Sequence, residues 1–261
     1  MIHQTAIIST KAKISENTKI GPYCIIDDGV SIEEGCELIS HVHLSGNTKI
    51  GKNNKFFPFS SVGTIPQDLK YSGEDSKLVI GENNTFRENV TINPGTKNGG
   101  MITKIEDNCL FMVGSHVAHD CQISSNVILA NNATLAGHVV IDNNAIIGGL
   151  SGVHQFVHIG KYAMIGGMSG VESNIIPYGL YLGIRDNLRG LNLIWLKRKS
   201  VDIKTINKIN KVFRKIFCES NSLEKNIKNL NQEEKSILEV AEILDFISLN
   251  LKRGICRYVN D

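Results

Sequence analysis

Residues 123–147 read ISSNVILANNATLAGHVVIDNNAII, and their periodicity decides the fold. A large aliphatic residue recurs at every sixth position, at Ile123, Leu129, Leu135, Ile141 and Ile147. Two places before each stands a mostly small residue, as at Cys121, Ala133 and Ala145. The pairs Asn131-Asn132 and Asn143-Asn144 fall at the turns, where a left-handed backbone is tolerated. A period of six fits neither a 3.6-residue helix nor a simple alternating hairpin. It fits a parallel β-helix in which each hexad is one short flat side and three hexads close a coil of about 18 residues.

The same count extends in both directions. Sixes from Ile8 to Val62, then Ile80, Phe86 and Ile92, then Ile105 to Val171, meet an aliphatic residue or Phe in all 25 slots. Nine or ten such coils would form a rod about 45 Å long. The count pauses twice, which predicts excursions from the prism wall at residues 65–77 and 95–104. Such loops on a regular scaffold are either plain surface loops or carriers of function. After Pro177 the hexads stop, and Ile206, Ile209, Phe213, Ile216 and Phe217 recur at helical spacing, as do Val240, Leu244, Ile247 and Leu251. Asn231 with Glu234 reads as a capping box for that last helix. The expected organisation is a mainly β chain: a parallel β-helix over residues 1–178, then a small α-helical domain over 190–261.

Composition agrees with a repetitive fold. The 261 residues are 41% apolar and 21% charged, with 24 glycines and only 6% aromatics, so the chain turns often and packs few large rings. A net charge of +2 calls for no nucleic-acid partner. No stretch approaches the roughly 18 apolar residues of a spanning helix, and the start Met1-Ile2-His3-Gln4 lacks a basic-then-apolar leader, so a cytoplasmic protein without membrane insertion is expected. The six cysteines show no zinc-type spacing; Cys24, Cys36, Cys109 and Cys121 occupy the small-residue positions of the repeat and read as buried thiols. Charge is divided: residues 191–261 carry +5 and the prism −3. Lys197, Arg198, Lys199, Lys204, Lys208, Lys211, Arg214 and Lys215 form either a solvated helix face or a docking surface for an acidic partner.

Five of the eight histidines lie between His116 and His158. Counted on an 18-residue coil, His119, His138 and His154 fall near one edge on three successive coils, with His116 beside them. Two chemistries suit such a cluster: a zinc site, or a general base that takes a hydroxyl proton during attack on a carbonyl. Asp120, next to His119, is placed to orient or charge-stabilise the ring.

The run Asn131-Asn132-Ala133-Thr134-Leu135-Ala136-Gly137-His138-Val139 is flanked by His116-Val117-Ala118-His119-Asp120-Cys121 and Val153-His154-Gln155-Phe156. With Gln67-Asp68-Leu69-Lys70-Tyr71, Ile146-Ile147-Gly148-Gly149 and Gly166-Gly167-Met168-Ser169-Gly170, it resembles the UDP-N-acetylglucosamine O-acyltransferase family across essentially the whole chain. The resemblance implies a left-handed parallel β-helix and a cytoplasmic homotrimer. It also implies transfer of an (R)-3-hydroxyacyl group from acyl carrier protein to the 3-hydroxyl of UDP-N-acetylglucosamine, the first step of lipid A biosynthesis. By motif position it implies His119 as general base, Asp120 as its neighbour and the Gly137 N–H as oxyanion donor. It further implies sugar or phosphate contacts by Asp68, Lys70, His116 and His138. His154 and Gln155 would lie along the substrate or acyl path, with Asn192, Arg198 and Lys199 near the nucleotide, partly from a neighbouring subunit. Gly167 matches a position that limits acyl length, and glycine there implies a longer chain.

Three physical points favour this reading. A smooth prism needs a neighbour to make a cleft; a basic helical segment suits acidic acyl carrier protein; and a thioester arrives activated, so neither metal nor organic cofactor is required. Two departures stand out: Trp195-Leu196-Lys197-Arg198-Lys199-Ser200 where the family commonly has Gly-Leu-x-Arg-Arg-Gly, and Asn93-Pro94 where it often has His-Arg. Rival readings are a coenzyme A-dependent acetyltransferase, a zinc carbonic anhydrase-like enzyme of the same repeat class, and a non-catalytic scaffold.

Overall fold

Each inward aliphatic side chain removes enough apolar surface from water to contribute about 1.5–3 kcal/mol, and an unbroken column of them can hold a chain whose strands are only two residues long. In the computed structural model, which describes residues 1–184, 188–198, 201–218, 221–250 and 253–258, that column is continuous. Its members are buried from Ile20 to Val171. The chain winds as a left-handed parallel β-helix with three sheets as its walls. The first has nine strands from Ile7–Ile8 to Gly170–Val171, and the second has eight from Lys13–Ile14 to His158–Ile159. The third starts at Lys19–Ile20 and ends in Gly179–Tyr181, on which Leu188–Leu191 folds back antiparallel.

Strand pairs step by 18 residues, as in His116 opposite Thr134 and Thr134 opposite Gly152. The step widens where Ser61 faces Thr91 and again where Thr91 faces His116. These are the two excursions: one leaves the wall after Val62 and rejoins at Lys77, the other leaves after Ile92 and rejoins at Ile102. The inward rings Phe56, Phe86 and Phe111 stack at centroid distances of 4.7 and 4.9 Å across the coils that carry the excursions. Cys24, Cys36, Cys109 and Cys121 are free and buried in the small-residue slots, and burial pushes the Cys121 thiol up to about 12.

The helices follow as α1 (Leu193–Arg198), α2 (Ile203–Phe217), α3 (Leu223–Lys228), α4 (Gln232–Lys235) and α5 (Leu238–Leu249). Helix α2 buries Ile206, Ile209, Val212, Phe213 and Ile216, and Asp202 caps it by accepting the Thr205 N–H at 3.0 Å. The Asn231–Glu234 capping box forms, but it starts the single turn α4 and not the last helix. Ile237 then takes an extended backbone, so α5 begins afresh without a side-chain cap; Leu251 lies outside the described residues. Glu242 of α5 joins the prism through Lys161 and the Tyr178 hydroxyl. Trp195 of α1 stacks on Tyr162 at 3.5 Å, which gives this departure from the family pattern a packing role.

Replacing the central ring of the stack, Phe86→Ala, should cost about 3–5 kcal/mol, read as a lowered urea midpoint with an unchanged slope.

Candidate active site

One corner of the prism, between the first and second sheets, collects the titratable groups. The strand His116–Val117 turns Val117 inward and leaves His116 outside. The chain then rounds the corner through Ala118, His119 and Asp120, with Asp120 at φ 60°. One coil on, Ala136, Gly137 and His138 occupy the same three places, and His154, Gln155 and Phe156 the next; His138 and Phe156 are also left-handed, at φ 62° and 64°. The first excursion arches over this corner and closes a cleft of about 650 Å³. Its lining includes Gln67, Asp68, Leu69 and Lys70 from the excursion, Asn93 and Asn98, and His119, Gly137, His138, Gln155 and Phe156 from the corner.

His119 is 7% exposed, and its Nδ1 lies 2.8 Å from Asp120 Oδ2. An ionised carboxylate can only accept, so Nδ1 carries the proton and Nε2 is left as the basic lone pair. The ring lies over Gly137: a Cβ there would stand 2.4 Å from Cε1 and 2.6 Å from Nε2, so glycine is required. Among the described residues no protein acceptor takes the Gly137 N–H, which therefore remains a free donor beside His119. His138 meets His119 edge-on at 5.0 Å and stacks on Phe156 at 4.3 Å. Burial lowers the His138 pKa, with the charge of His119 adding to it and Asp120 and Asp68 opposing. His116 bonds Thr91 Oγ1 at 2.7 Å; burial, and then the charge of His119, lower its pKa too.

Not every expected residue joins the cleft. His154 lies on the same edge but points away, its Nδ1 2.8 Å from an Arg253 nitrogen. His119, His138 and His154 thus lie along one edge on three successive coils, as expected, but only the first two face the cleft. The three sit at successive places in the turn, and the column above Asp120 runs through His138 and Phe156. Gly167 is exposed at another corner, between the third and first sheets. Asn192 caps α1, accepting the Trp195 N–H at 3.2 Å while its Nδ2 donates to Tyr162 O at 3.0 Å. Arg198 is exposed at the end of α1, and Lys199 lies outside the described residues. Of the other departure, Asn93 ties the first excursion down, Nδ2 donating to Thr64 O at 3.0 Å and Ile65 O at 3.3 Å.

Sequence reasoning passed over Phe156, Thr96 and Gly99. Phe156 could have been found as the residue one coil after His138. The atoms of His119, Asp120 and His138 that could ligate a metal lie within 4.8 Å of one another. However, the Asp120 oxygens already accept the Thr96 N–H, the Thr96 hydroxyl and the His119 ring, so a metal would displace bonds that are in place. The arrangement instead suits proton abstraction beside a free backbone donor.

Comparison with known proteins is consistent over the whole chain. The pattern described as UDP-N-acetylglucosamine O-acyltransferase, domain 2, matches residues 174–256, and the six-repeat bacterial transferase hexapeptide pattern matches residues 102–137. The chain is 48% identical to the acyl-(acyl-carrier-protein)–UDP-N-acetylglucosamine O-acyltransferase of Thermodesulfovibrio yellowstonii, over 98% of this chain and 99% of that one. With the same-named protein of Aliarcobacter butzleri it is 46% identical over 97% of each. A crystal structure of a UDP-N-acetylglucosamine acyltransferase superposes with TM-score 0.93 at 44% identity, covering 100% of both chains. LpxA from Acinetobacter baumannii gives 0.94 at 40%, over 98% of this chain and 99% of that one.

Two outcomes are expected. Gly137→Ala should turn the His119 ring off Asp120, so the downfield Nδ1 proton resonance of the His–Asp pair disappears while the melting temperature stays close to wild type. In an NMR titration the Cε1–H signals of His116 and His138 should show midpoints below the ordinary 6.5, both rings staying neutral to lower pH than a free imidazole.

Proposed function

The chain belongs to the UDP-N-acetylglucosamine O-acyltransferase family, and from that premise we propose how its cleft carries out the reaction. The enzyme transfers an acyl chain from acyl carrier protein to UDP-N-acetylglucosamine in lipid A biosynthesis. In our reading the donor is an (R)-3-hydroxyacyl thioester and the acceptor oxygen is the sugar 3-hydroxyl. His119 Nε2 takes the hydroxyl proton as that oxygen attacks the thioester carbonyl, and Asp120 stabilises the imidazolium that forms. The Gly137 N–H donates to the oxyanion of the tetrahedral intermediate. Collapse expels the carrier thiolate, which takes the proton back from His119.

The observation that carries this reading is the Asp120–His119–Gly137 alignment: a buried carboxylate 2.8 Å from one ring nitrogen, with the other against a glycine whose N–H is free. Asp68, Lys70, His138 and Gln155 line the same cleft; in this reading Asp68, Lys70 and His138 contact the sugar or phosphates, joined by His116, which bonds Thr91 and is not part of the lining, and Gln155 lies along the substrate or acyl path. His154, Gly167, Asn192, Arg198 and Lys199 act in this reading through a neighbouring subunit, Gly167 leaving the acyl groove open to a longer chain.

A homotrimer is supported by the outer face of the first sheet. Its outward residues Ile7, Ile25, His43, Ser61, Thr91, His116, Thr134, Gly152 and Gly170 include no Lys, Arg, Asp or Glu, whereas Lys13, Lys49 and Lys104 mark the second sheet. The cleft opens at the margin of that uncharged face, where a second copy would complete it. Among the cations of α2, Lys208 and Lys215 pair with Glu233 and Glu234, and Lys204, Lys211 and Arg214 stay exposed to meet acidic acyl carrier protein. No helix among the described residues is long and apolar enough to cross a membrane, and we place the enzyme in the cytoplasm.

Incubation with UDP-N-acetylglucosamine and a mixed pool of acyl and 3-hydroxyacyl carrier proteins, followed by mass spectrometry, should show a hydroxyacylated sugar nucleotide. His119→Ala should slow its formation by at least about 100-fold while the fold is kept. A product without a hydroxyacyl chain, or full activity in the variant, would overturn the proposal.

A further inference from the structure

The carboxylate of Asp120 is held by more than His119. Thr96, in the second excursion, donates its backbone N–H to Oδ1 at 2.9 Å and its hydroxyl to Oδ2 at 2.6 Å. Oδ2 is also the oxygen that takes the His119 ring proton. Gly99 lies against the same group, where a Cβ would stand 1.9 Å from the Asp120 Cγ. Behind it, the Asp120 N–H donates to Thr103 Oγ1 at 2.7 Å, and the side chain is fully buried. The segment that carries Thr96 is fastened in turn. Glu74, from the first excursion, accepts the Lys97 N–H at 3.0 Å and the Ser72 N–H at 2.9 Å, bonds that hold its carboxyl at about 2.

We propose that Thr96 is a positioning residue for the transfer reaction, setting the plane and the charge of Asp120 and through them the orientation and basicity of His119. The inference rests on the reading of His119 as the base. A carboxylate gripped on one oxygen alone can swing about its Cβ–Cγ bond; donors from one residue on both oxygens fix its plane, so that Oδ2 faces the imidazole. The Thr96 hydroxyl also shares Oδ2 with the ring and draws off part of its negative charge. Without it, Oδ2 pulls harder on the imidazolium, and His119 keeps its proton to higher pH. Two excursions that look like separate insertions thereby act on one histidine: the first clamps the second, and the second holds the carboxylate.

The test compares wild type, Thr96→Val, Thr96→Ser and His119→Ala in the full chain, with kcat and KM followed between about pH 5 and pH 9. Thr96→Val should lower kcat about tenfold with KM within about twofold, the signature of a misaimed base. It should also move the acid limb of the profile upward by about half a unit, and Thr96→Ser should restore both. A valine variant with wild-type kcat and an unmoved limb overturns the inference, as does a loss of rate without a shift or one that serine fails to restore. An active His119→Ala would bring down the base assignment itself, a result distinct from failure at Thr96. If the valine variant does not fold, Glu74→Gln loosens the clamp without touching Asp120: an upward shift of the limb supports the proposal, and an unmoved limb at reduced rate opposes it.

Discussion

Every functional contact in this molecule depends on the constancy of the 18-residue step. Strands of two residues make few hydrogen bonds each, so the coil holds only because each inward residue lands on its counterpart one turn below, about 4.8 Å away. A slip of one residue would turn the apolar column to the outside. The insertions are therefore confined to corners, and after each the register resumes unchanged, as Ser61 facing Thr91 and Thr91 facing His116 show. A fixed step also turns each corner into a ladder, and the active corner is three rungs of one ladder.

Those rungs depart from the cheapest sequence. At the corner between the second and third sheets the left-handed turn position is filled by Asn at Asn17, Asn53, Asn83, Asn108, Asn126 and Asn144, where a short polar side chain tolerates a positive φ. At the active corner it is filled by Asp120, His138 and Phe156. His138 and Phe156 each cost about 1–2 kcal/mol of backbone strain there, which persists only where surrounding contacts over-determine the conformation. Asp120 has Thr96, Thr103 and His119; His138 lies with its edge on His119 and its face on Phe156. The strain and the contacts together hold the His119 ring in one orientation.

The prism was legible because hexads report burial directly: a residue either fills the interior or does not. The pairing of His119 with Asp120 was suggested by adjacency alone; the contact itself is made by the sharp left-handed corner at Asp120, which turns the two side chains towards each other. His154 was placed at the right edge, but counting on the coil gives height and edge and not direction, and one place along a turn swings a side chain away. The Asn231–Glu234 pair was a true cap, yet nothing in its pattern shows that the helix it starts lasts one turn. Thr96 was invisible for a different reason. It reaches Asp120 from an aperiodic excursion 24 residues away, and only the fold brings the two together.

Three imidazoles crowd this corner, and the proposed reaction uses one of them, His119, as its base. If His116, His119 and His138 were all charged near neutrality, their mutual repulsion would oppose the cationic intermediate through which proton transfer must pass. Burial settles the competition by holding His116 and His138 towards their neutral forms. Asp120 then chooses among the rings by distance: its Oδ2 stands 2.8 Å from the His119 nitrogen and 3.9 Å from that of His138. The nearer ring alone gains a hydrogen-bonded counter-charge for the imidazolium, while the farther one remains a neutral wall of the cleft. In the proposed reading, the choice of His119 over His138 as the base follows from a 1.1 Å difference in reach, which the threonine-held carboxylate keeps from averaging out.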